Sequence, residues 1–524
     1  MELFSLFVDG KDVDTGKYEY FPYADKAISN FKKTYKIISD LKKGKIPQES
    51  DEYIFAKYCI GDDDLNDKAI EAAYKASKIM KDIPLSKREK IIYDIGTLFK
   101  GNKEKILKLL ILEGHPKKLA EWEINSLDNI FCKETVKNYK KSLFESVTAN
   151  GRENLFLIRK PDGVVALVPP KNAPASNSVC AVYCFLAANA LIIKAPLKMP
   201  ISTIFIWKKI VARALKQNGA PDGIMNIITG NSKTITDKWL QNPKVNDIFF
   251  FGESEKGLEI AKRAFENNKK AILELSGNDD MFVWRDGNIE AAADSAADAF
   301  LGSTQICMLP KNIIVHENIY DNFIEKFLFK IKTLKFGLPS DEMTCFSPVV
   351  RIKDCRDFLC DALDKGAKLL CGGKKVDFNG IPDENGTYFQ PTVVEIESDN
   401  PELFNMKLVK EENFFPVIPV IKIKSSKKTQ KEKDEDIFRQ MSDFAQKNEY
   451  GLRISVWVKS SFYTRRFIKD TDNCALLRIN SKHIDFSLGM PGHGGTGKTG
   501  GPYGEASFLV KKMTHLQAIS LTKQ

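Results

Sequence analysis

The chain lacks any hydrophobic run long enough to cross a membrane. Its longest apolar run, residues 179–193, ends at Lys194 and is shorter than the ~18 residues that a span requires. The opening stretch, MELFSLFVDGKDVD, has no basic segment and no long apolar core, so it does not look like a signal peptide. These absences argue against a membrane protein and predict a cytoplasmic location.

The ten cysteines are dispersed and form no CxxC pair. In a large chain with no export signal, such cysteines are expected to be reduced thiols rather than disulfides. No metal site is predicted from them.

The charge of the chain, formally +10, comes mostly from scattered lysines. A nucleic-acid groove would need basic residues clustered on one face with aromatic residues between them. The densest cluster, residues 422–438, turns acidic at once and reads as a solvated surface loop. The sequence therefore predicts no nucleic-acid partner.

The 524 residues are too many for one ordinary core, which predicts two or three domains. A composition that is 43% hydrophobic and 28% charged is typical of a soluble globular protein. No internal repeat and no low-complexity linker divides the chain, so its halves should share an interface.

Strands and helices alternate along most of the chain. Helical stretches cover 64–125, and two strands around an Asn-Gly turn are expected at 141–160. The strand GVVALV, a helix over 175–190, the strand ALIIKAP and a helix over 201–217 then predict parallel βαβ units in a doubly wound sheet. The second half alternates in the same way, which indicates a second α/β domain with helices over 288–302 and 317–334.

The segment GMPGHGGTGKTGG, residues 489–501, contains the phosphate-binding pattern GxxxxGKT from Gly492 to Thr499. A working phosphate loop lies between a buried strand and a helix, whereas Gly500, Gly501 and Pro502 oppose an immediate helix here. Few residues remain after Thr499 for the rest of a nucleotide-hydrolysing core. ATP binding is therefore not expected, and the glycines need another explanation.

Four separated segments together resemble the aldehyde dehydrogenase superfamily over roughly residues 64–520. They are GVVALVPPKNAP at 163–174, ELSG at 274–277, STQICM at 303–308 and KEENFFPVIPV at 410–420. The glycine-rich segment resembles the end of that family's catalytic domain, most closely in the branch that acts on semialdehydes from aromatic-ring degradation. The GKT pattern is then a coincidence inside a loop near the substrate entrance.

The resemblance implies a fold of three parts. A Rossmann-type cofactor-binding domain would comprise residues 1–140 and 161–273, and a second α/β catalytic domain would comprise 274–488. A small β oligomerisation element would comprise 141–160 and 489–524, giving a homodimer or homotetramer. The two strand segments would otherwise be exposed sheet edges. Residues 20–60 have no counterpart that the resemblance explains.

The resemblance assigns catalysis to Cys307, Glu274 and Asn172. Cys307 would attack an aldehyde, Asn172 would stabilise the oxyanion, and Glu274 would activate the water that hydrolyses the thioester. Glu274 lies between two leucines, a setting that raises the pKa of a carboxyl group. Each residue also has an ordinary alternative: a small buried cysteine, a turn asparagine and a strand-end carboxylate.

The resemblance also assigns a nicotinamide cofactor, NADP or NAD. Lys194 would contact the adenosine ribose, Glu412 the nicotinamide ribose, and Phe414 the nicotinamide ring. Gly252 and Gly257 would open the helix beneath the pyrophosphate. Leu197 replaces an acidic residue that grips the adenosine ribose, and Lys198 adds a positive charge beside it, which favours the 2′-phosphate of NADP.

Several residues depart from the family pattern. Lys171 and Ala173 replace a tryptophan and a large apolar residue, which predicts a wide substrate tunnel with a cationic wall. With His493 of the glycine-rich segment, they are the predicted substrate residues, suited to a bulky or acidic aldehyde. Glu253 and Phe415 also depart from the pattern, near the cofactor.

The sequence thus predicts an NAD(P)-dependent enzyme that oxidises an aldehyde to a carboxylic acid, without identifying the aldehyde. Two alternatives stay open: transfer of the acyl group to coenzyme A, and a non-catalytic protein on the same fold. The presence of Glu274 favours hydrolysis, since CoA-acylating relatives generally lack it.

Overall fold

The computed structural model of the chain describes residues 1–149, 153–489, 494–505 and 509–522. The first 60 residues, of which 20–60 had no interpretation from the sequence, contain five strands and three helices. These elements are β1 (Glu2–Phe4), β2 (Leu6–Val8), β3 (Lys11–Val13), β4 (Tyr18–Pro22), α1 (Ala24–Ser29), α2 (Phe31–Lys42), α3 (Ser50–Tyr53) and β5 (Ile54–Cys59). Strands β1, β5 and β4 form one sheet, in that order. Asp9 and Gly10, both with positive φ, make the tight turn between β2 and β3.

Five helices follow, as the apolar periodicity of residues 64–125 predicts. They are α4 (Asp63–Met80), α5 (Leu85–Lys100), α6 (Lys103–Leu112), α7 (Lys117–Ile130) and α8 (Lys133–Lys141). Asp62 caps α4 by accepting a hydrogen bond from the backbone N–H of Leu65 at 3.1 Å. Ile70, Ala73 and Met80 form part of the buried face of α4, so the predicted helical spacing is confirmed there.

Two strands and a βαβ series come next. They are β6 (Phe144–Ala149), β7 (Glu153–Pro161), β8 (Val164–Val168), α9 (Ser176–Val179), α10 (Tyr183–Leu186), β9 (Ala190–Lys194), α11 (Pro200–Phe205), α12 (Ala212–Gln217), β10 (Met225–Ile228), α13 (Ser232–Gln241), β11 (Asp247–Phe251), α14 (Ser254–Glu266) and β12 (Lys270–Glu274). A π-helical segment, Ile206–Val211, joins α11 to α12. The Asn-Gly turn predicted between β6 and β7 lies outside the described residues.

The second half contains β13 (Asp279–Val283), α15 (Ile289–Ala297), β14 (Pro310–His316), α16 (Tyr320–Thr333), α17 (Ile352–Asp364), β15 (Lys368–Cys371), β16 (Lys375–Val376), β17 (Tyr388–Phe389), β18 (Thr392–Glu397), α18 (Lys407–Lys410), β19 (Val417–Ile423), α19 (Gln430–Lys447), β20 (Arg453–Trp457), α20 (Ser461–Asp470) and β21 (Leu476–Ile479). The chain then adds α21 (Gly497–Gly500), α22 (Leu509–Lys512) and β22 (Thr514–Thr522).

Two seven-stranded sheets organise the molecule. The first has the order β12-β11-β8-β9-β10-β2-β3, and its strands from β12 to β10 are parallel. The second has the order β15-β18-β19-β14-β13-β20-β21 and is parallel except for β15. These are the two α/β units that the alternation of elements predicts.

The core of the second sheet shows why its strands are so apolar. Met281 and Val283 face one buried cluster, whereas Phe282 and Trp284 face another on the opposite side. Side chains alternate between the two faces of a strand, so a sheet covered on both faces needs apolar residues at every position.

A third sheet, ordered β22-β7-β6, is antiparallel throughout. Its strands come from the two segments predicted to form an oligomerisation element. The domain boundaries themselves stay a prediction.

Some predicted elements differ from the observed ones. The helix predicted over 175–190 is broken into short pieces and ends at Leu186, and Ala188 adopts a positive φ. The surface loop predicted over 422–438 is wrong beyond Thr429, because α19 starts there. The Thr429 hydroxyl accepts from the backbone N–H of Glu432, and the Glu432 carboxylate accepts from the N–H of Thr429, which stabilises the start of that helix.

The glycine-rich segment packs against the strand that carries Glu274. The Thr499 hydroxyl donates to the carbonyl of Ser276, and the carbonyl of Thr499 accepts from the N–H of Leu275 at 3.0 Å. A Cβ at Gly500 would lie 1.7 Å from the carbonyl oxygen of Gly495, so these glycines permit a close backbone approach. Helix α21, which begins at Gly497 of the GKT pattern, has only four residues.

Within the described segments, no helix is long and apolar enough to cross a membrane.

Candidate active site

Asn172 lies in the turn after β8, at the carboxyl edge of the first sheet. Its Nδ2 donates a hydrogen bond of 2.9 Å to the carbonyl of Gln305, two residues before Cys307. An amide nitrogen carries two hydrogens, and the other one has no partner among the described residues. The turn therefore holds a hydrogen-bond donor beside the loop that carries Cys307.

The buried pair of Glu123 and His115 fixes this turn. His115 Nε2 lies 2.9 Å from Glu123 Oε1 and 3.1 Å from the carbonyl oxygen of Asn172, to which it donates. Glu123 Oε2 accepts from the backbone N–H groups of Ala175 and Ser176, both at 2.9 Å. The carboxylate thus satisfies the amides at the start of α9 and locks the residues on both sides of the turn.

The loop before Cys307 has an unusual backbone. Gly302, Ser303 and Thr304 have φ values of 60°, 57° and 63°, in the left-handed region. A β-branched residue such as threonine is rarely found there, and such strain persists only when neighbouring contacts hold it. The Thr304 hydroxyl is buried and has no hydrogen-bond partner in the part of the chain that the structure describes.

Contacts on every side of this loop hold it. The Ser303 hydroxyl donates to the carbonyl of Ser347 at 2.7 Å, and Lys311 Nζ donates to the carbonyl of Thr304 at 2.7 Å. Gln305 Oε1 accepts from the N–H of Val350 at 3.0 Å. The nucleophile's loop is therefore preorganised by side chains as well as by its backbone.

The Cys307 thiol lies in a mostly apolar cluster that includes Leu119, Trp122, Leu452 and Phe486. Burial raises the pKa of Cys307 above its ordinary value, and the carboxylates of Glu412, Glu274 and Asp279 raise it further. The ammonium of Lys311 acts in the opposite direction. The protein alone therefore favours the protonated thiol.

Glu274 is the last residue of β12, and its side chain is buried. Burial raises the pKa of Glu274 well above the usual range, whereas the positive charges of Lys512 and Arg453 lower it. Glu274 is also one of the charges that act on Cys307, so the two side chains belong to one electrostatic site.

Gly277 and Glu412 connect the two sheets. Glu412 Oε1 accepts from the N–H of Gly277 at 2.9 Å, and burial raises the pKa of Glu412. A Cβ at Gly277 would lie 2.4 Å from the carbonyl oxygen of Cys307, so a larger residue would displace the nucleophile. Phe414 lies nearby, with the Lys311 ammonium 5.3 Å from its ring centre.

Four lysines gather at the carboxyl edge of the first sheet, next to this site. Lys171 follows β8, Lys194 ends β9, Lys198 lies four residues further on, and Lys256 is in the first turn of α14. Strands β8, β9 and β11 are parallel neighbours, so these positions share one edge. None of the four ammonium groups has an ion pair or a hydrogen bond within the described chain.

The pKa values of two of these lysines reflect the missing counter-charge. Burial lowers the pKa of Lys194 to about 8, and Lys256 lowers it further. Burial also lowers the pKa of Lys171, with Lys198 acting in the same direction and Glu253 opposing it. An anion bound at this edge would relieve both effects.

The helix that begins here adds backbone donors. Glu253 precedes α14, and its side chain makes no capping bond, so the first amides of the helix face outward. Gly252 and Gly257 are small for packing reasons as well: a Cβ there would lie 2.6 Å from the Phe250 ring and 2.2 Å from Leu275. A helix N-terminus beside unpaired lysines suits a polyanionic group such as a dinucleotide diphosphate.

Leu197 is exposed, and its carbonyl accepts from the Tyr58 hydroxyl at 3.1 Å. Glu113, buried behind it, caps α11 through the N–H groups of Ile201 at 2.6 Å and Ser202 at 2.8 Å. Burial raises the pKa of Glu113 to about 7. The segment from Lys194 to Lys198 is therefore anchored at both ends.

Of the predicted substrate residues, the structure describes Lys171 and Ala173, which lie in the turn after β8. Ala173 is fully buried and has no free surface, and the charged neighbours of Lys171 are Lys198 and Glu253 on the cofactor side. His493 lies outside the described residues. The tunnel with a cationic wall thus stays a prediction without geometric support from Ala173.

A cavity of about 430 Å³ lies next to the apolar cluster that contains Cys307, although Cys307 itself does not line it. Trp122 and Leu301 line it and also belong to the cluster around Cys307. Of the lysines that line it, Lys482 lies 3.1 Å from Asp298, and Lys118 lies 4.0 Å from Glu121.

Sequence reasoning did not single out Glu123, His115, Lys311, Arg453 or Lys256. Glu123 had a usable signal, because it falls on the apolar face of α7 with Leu119, Ala120 and Leu127. The others depend on partners far away in the chain. Among the described residues, no group of three or more histidine, cysteine or acidic side chains could hold a metal ion.

These features define a class of protein: a dinucleotide-dependent enzyme with a buried thiol, an amide donor and a carboxylate at the junction of two α/β sheets. The aldehyde dehydrogenase family model matches residues 41–519, and the chain belongs to that family. It is an NAD(P)-dependent oxidoreductase that converts aldehydes to carboxylic acids, and the predicted fold class is confirmed.

Two curated relatives illustrate the similarity. A lactaldehyde dehydrogenase of Methanocaldococcus jannaschii is 30% identical over 462 residues, which cover 87% of this chain and 92% of that one. A D-glyceraldehyde dehydrogenase (NADP(+)) of Picrophilus torridus is 32% identical over 361 residues, 67% of this chain and 70% of that one.

Solved structures agree on the fold. An NADP-dependent enzyme of E. coli superposes with a TM-score of 0.80 at 22% identity, covering 100% of this chain and 98% of that one. A glyceraldehyde-3-phosphate dehydrogenase of Methanocaldococcus jannaschii, solved with NADP, has a TM-score of 0.74 at 28% identity and covers 90% of this chain and 97% of that one.

The strained loop leads to a stability prediction. Replacing Thr304 by glycine should raise the melting temperature by about 1–2 °C, because glycine adopts a positive φ without strain and the lost hydroxyl has no partner. Thr333→Gly in helix α16 is the control and should lower the melting temperature. Equal losses in both variants would show that Thr304 is not strained.

Proposed function

We propose that Cys307 is the nucleophile, Asn172 the oxyanion donor and Glu274 the general base of aldehyde oxidation. One observation carries this assignment: the Asn172 amide bonds to the Cys307 loop at 2.9 Å, while Glu274 acts electrostatically on the same thiol. Asn172 in the turn after β8 and Glu274 at the end of β12 thus both act on Cys307 or its loop.

In the first step the Cys307 sulfur attacks the aldehyde carbon, and the carbonyl electrons move to oxygen. The unpartnered hydrogen on Asn172 Nδ2 and the backbone N–H of Cys307 hold this oxyanion. The thiol must first lose its proton against the effect of burial. Lys311 favours the thiolate, because its positive charge lowers the pKa of Cys307, and its hydrogen bond to the carbonyl of Thr304 holds it against the loop.

A bound nicotinamide supplies the hydride acceptor for the oxidation step. On this chain, Glu412 would hold the nicotinamide ribose and Phe414 would flank the ring, as the family pattern implies. The unpaired lysines and the start of α14 would hold the phosphates, because they offer positive charge and outward-facing amides at one edge.

The thioester left on Cys307 is then hydrolysed. Glu274 takes a proton from a water molecule, the water oxygen bonds to the acyl carbon, and the C–S bond breaks to release the acid and the thiolate. The raised pKa of Glu274 makes it a stronger base than an ordinary carboxylate, and its rate contribution should increase as pH rises through that pKa.

The variant Glu274→Gln tests whether Glu274 is needed for thioester hydrolysis and not for the preceding oxidation. The variant should release about one equivalent of reduced nicotinamide per subunit in a rapid phase, and then turn over about 10²–10⁴-fold more slowly, because the thioester lacks its base. Stopped-flow absorbance measures both phases. Glu266→Gln, on the exposed end of α14, is the control and should match the parent enzyme.

Coenzyme A distinguishes the alternative reaction in the same assay. Hydrolysis predicts free acid as the product with or without CoA. Formation of an acyl-CoA by the parent enzyme, with turnover that depends on CoA, would instead establish acyl transfer to a thiol.

We propose further that the cofactor is preferentially NADP. Leu197 offers no carboxylate to the adenosine ribose, and four unpaired lysines exceed what a diphosphate alone requires for charge balance. Lys171 then belongs to the cofactor edge rather than to the substrate tunnel. The NADP named for the Picrophilus torridus relative agrees with this preference.

Calorimetric titration of cofactor measures the preference directly. Lys198→Glu should weaken NADP binding about tenfold or more and NAD binding much less, because the extra phosphate loses a charge partner. Leu197→Glu should shift the preference towards NAD. Lys171→Met should weaken cofactor binding, whereas a selective rise of KM for acidic aldehydes would restore its assignment to the substrate tunnel.

For the substrate, we propose a short, uncharged, hydroxylated aldehyde. The cavity next to the Cys307 cluster offers polar groups, but Lys118 and Lys482 are both close to carboxylates, so a substrate carboxylate would find no unpaired cation there. The lactaldehyde and D-glyceraldehyde named for two relatives have this chemistry.

A panel of aldehydes run with each cofactor checks this preference. Lactaldehyde and glyceraldehyde should give a higher kcat/KM than succinic semialdehyde. The reverse order would favour the acidic semialdehyde that the sequence suggested.

We also propose a homodimer or homotetramer in the cytoplasm. The sheet of β22, β7 and β6 exposes Phe144, Leu516 and Leu521, each more than half accessible, which suits a subunit interface. All ten cysteines are free thiols, as in reducing compartments. A light-scattering mass near 59.1 kDa, that of one chain, would contradict the oligomer, and recovery of the protein outside the cytosol on fractionation would contradict the location.

A further inference from the structure

A buried ionic network lies behind the nucleophile and is not used by the reaction steps above. Arg453, at the start of β20, is 2% exposed, and its backbone N–H donates to Asp279 Oδ1 at 3.1 Å. Asp279 Oδ2 lies 3.2 Å from His483 Nε2, and His483 Nδ1 lies 2.8 Å from the Ser455 hydroxyl. The serine, histidine and aspartate resemble a hydrolytic triad in order, but all three are buried, so no substrate reaches the serine.

The Arg453 side chain reaches from this network to the wall of the substrate cavity. Its Nη1 donates to the carbonyls of His483 at 2.9 Å and Asp485 at 3.1 Å. The loop held in this way carries Ile484 and Phe486, which pack in the same cluster as Cys307. Phe486 also stacks on Trp122, with ring centres 5.8 Å apart.

The guanidinium also contributes charge. Burial lowers the pKa of Arg453 to about 10, and Asp279, Cys307 and Glu274 oppose that shift. The group remains charged at neutral pH, so a fixed cation lies within the electrostatic reach of both the nucleophile and the base.

We propose that Arg453 is a positioning residue for Cys307, which clamps loop 483–486 beside the thiol and supplies a buried positive charge that stabilises the thiolate. This inference rests on the proposed role of Cys307. Lys311 is the other cation behind the thiol, while Glu412, Glu274 and Asp279 oppose ionisation.

The chain contains a matched control. Arg478, on the neighbouring strand β21, donates to the same carbonyl of Asp485 at 3.0 Å and to the Ser487 hydroxyl at 3.1 Å. Its charge is balanced by Asp485 rather than by the catalytic residues. The two arginines therefore share the loop but differ in their relation to Cys307.

The test measures iodoacetamide alkylation of Cys307 against pH in the full-length enzyme, with the site of modification mapped by mass spectrometry. Arg453→Met should displace the rate curve to higher pH, with alkylation about tenfold slower at pH 8, because the thiolate loses a charge partner. Arg478→Met should leave the curve unchanged and raise only the KM for aldehyde.

Two further variants keep the test decisive if Arg453→Met folds poorly. Arg453→Lys keeps the charge and should restore most of the alkylation rate, while its weaker hold on the loop raises KM. Asp279→Asn removes an opposing charge and should displace the curve to lower pH.

Equal displacement by Arg453→Met and Arg478→Met would reduce Arg453 to a structural role and overturn the proposal. Unchanged curves for Arg453→Met and Asp279→Asn would do the same. Failure of the proposed function is distinguishable, because Cys307→Ser would then retain aldehyde oxidation regardless of how Arg453 affects alkylation.

Discussion

The hydrogen bond between Asn172 and the carbonyl of Gln305 is the contact on which the site depends. It joins the carboxyl edge of one parallel sheet to the nucleophile loop at the edge of the other. Loops at the carboxyl ends of parallel strands are where α/β proteins generally assemble their sites. Here the carboxyl edge of the first sheet faces the amino edge of the second, where the Cys307 loop precedes β14. The Glu123–His115 pair holds the Asn172 side of this junction, and the strained backbone at Ser303 and Thr304 shapes the Cys307 side.

Assembling the site at a buried junction has an electrostatic consequence. Glu274, Glu412 and Asp279 all have raised pKa values because burial penalises their charged forms, and each of them disfavours the thiolate of Cys307. The protein offsets this with cations that are themselves buried, Lys311 and Arg453. The same charges therefore set the pKa values of Glu274 and Cys307, so a change in one of these charges shifts both pKa values.

The edge of the first sheet that would bind the cofactor has a different arrangement of charges. There the lysines have no ion pair among the described residues, and burial, with neighbouring lysines, lowers the pKa values of Lys171 and Lys194. Perturbed pKa values of this kind cluster at functional sites. Around Cys307, buried cations accompany the carboxylates, whereas at the cofactor edge the lysines are unpaired. This difference in charge distinguishes the two halves of the site more clearly than their shape does.

The sequence by itself determined the family and the alternation of strands and helices, and it predicted Cys307, Glu274 and Asn172 as catalytic residues, because these are carried by short local patterns. It also predicted that the glycine-rich segment is not a phosphate loop. Only the tertiary structure decided that Glu123 and His115 fix the Asn172 turn, that Arg453 binds the carbonyls of His483 and Asp485, and that Lys171 has Lys198 and Glu253 as charged neighbours. These facts depend on contacts between residues tens to hundreds of positions apart, and side-chain burial and charge pairing arise only once the chain has brought those residues together.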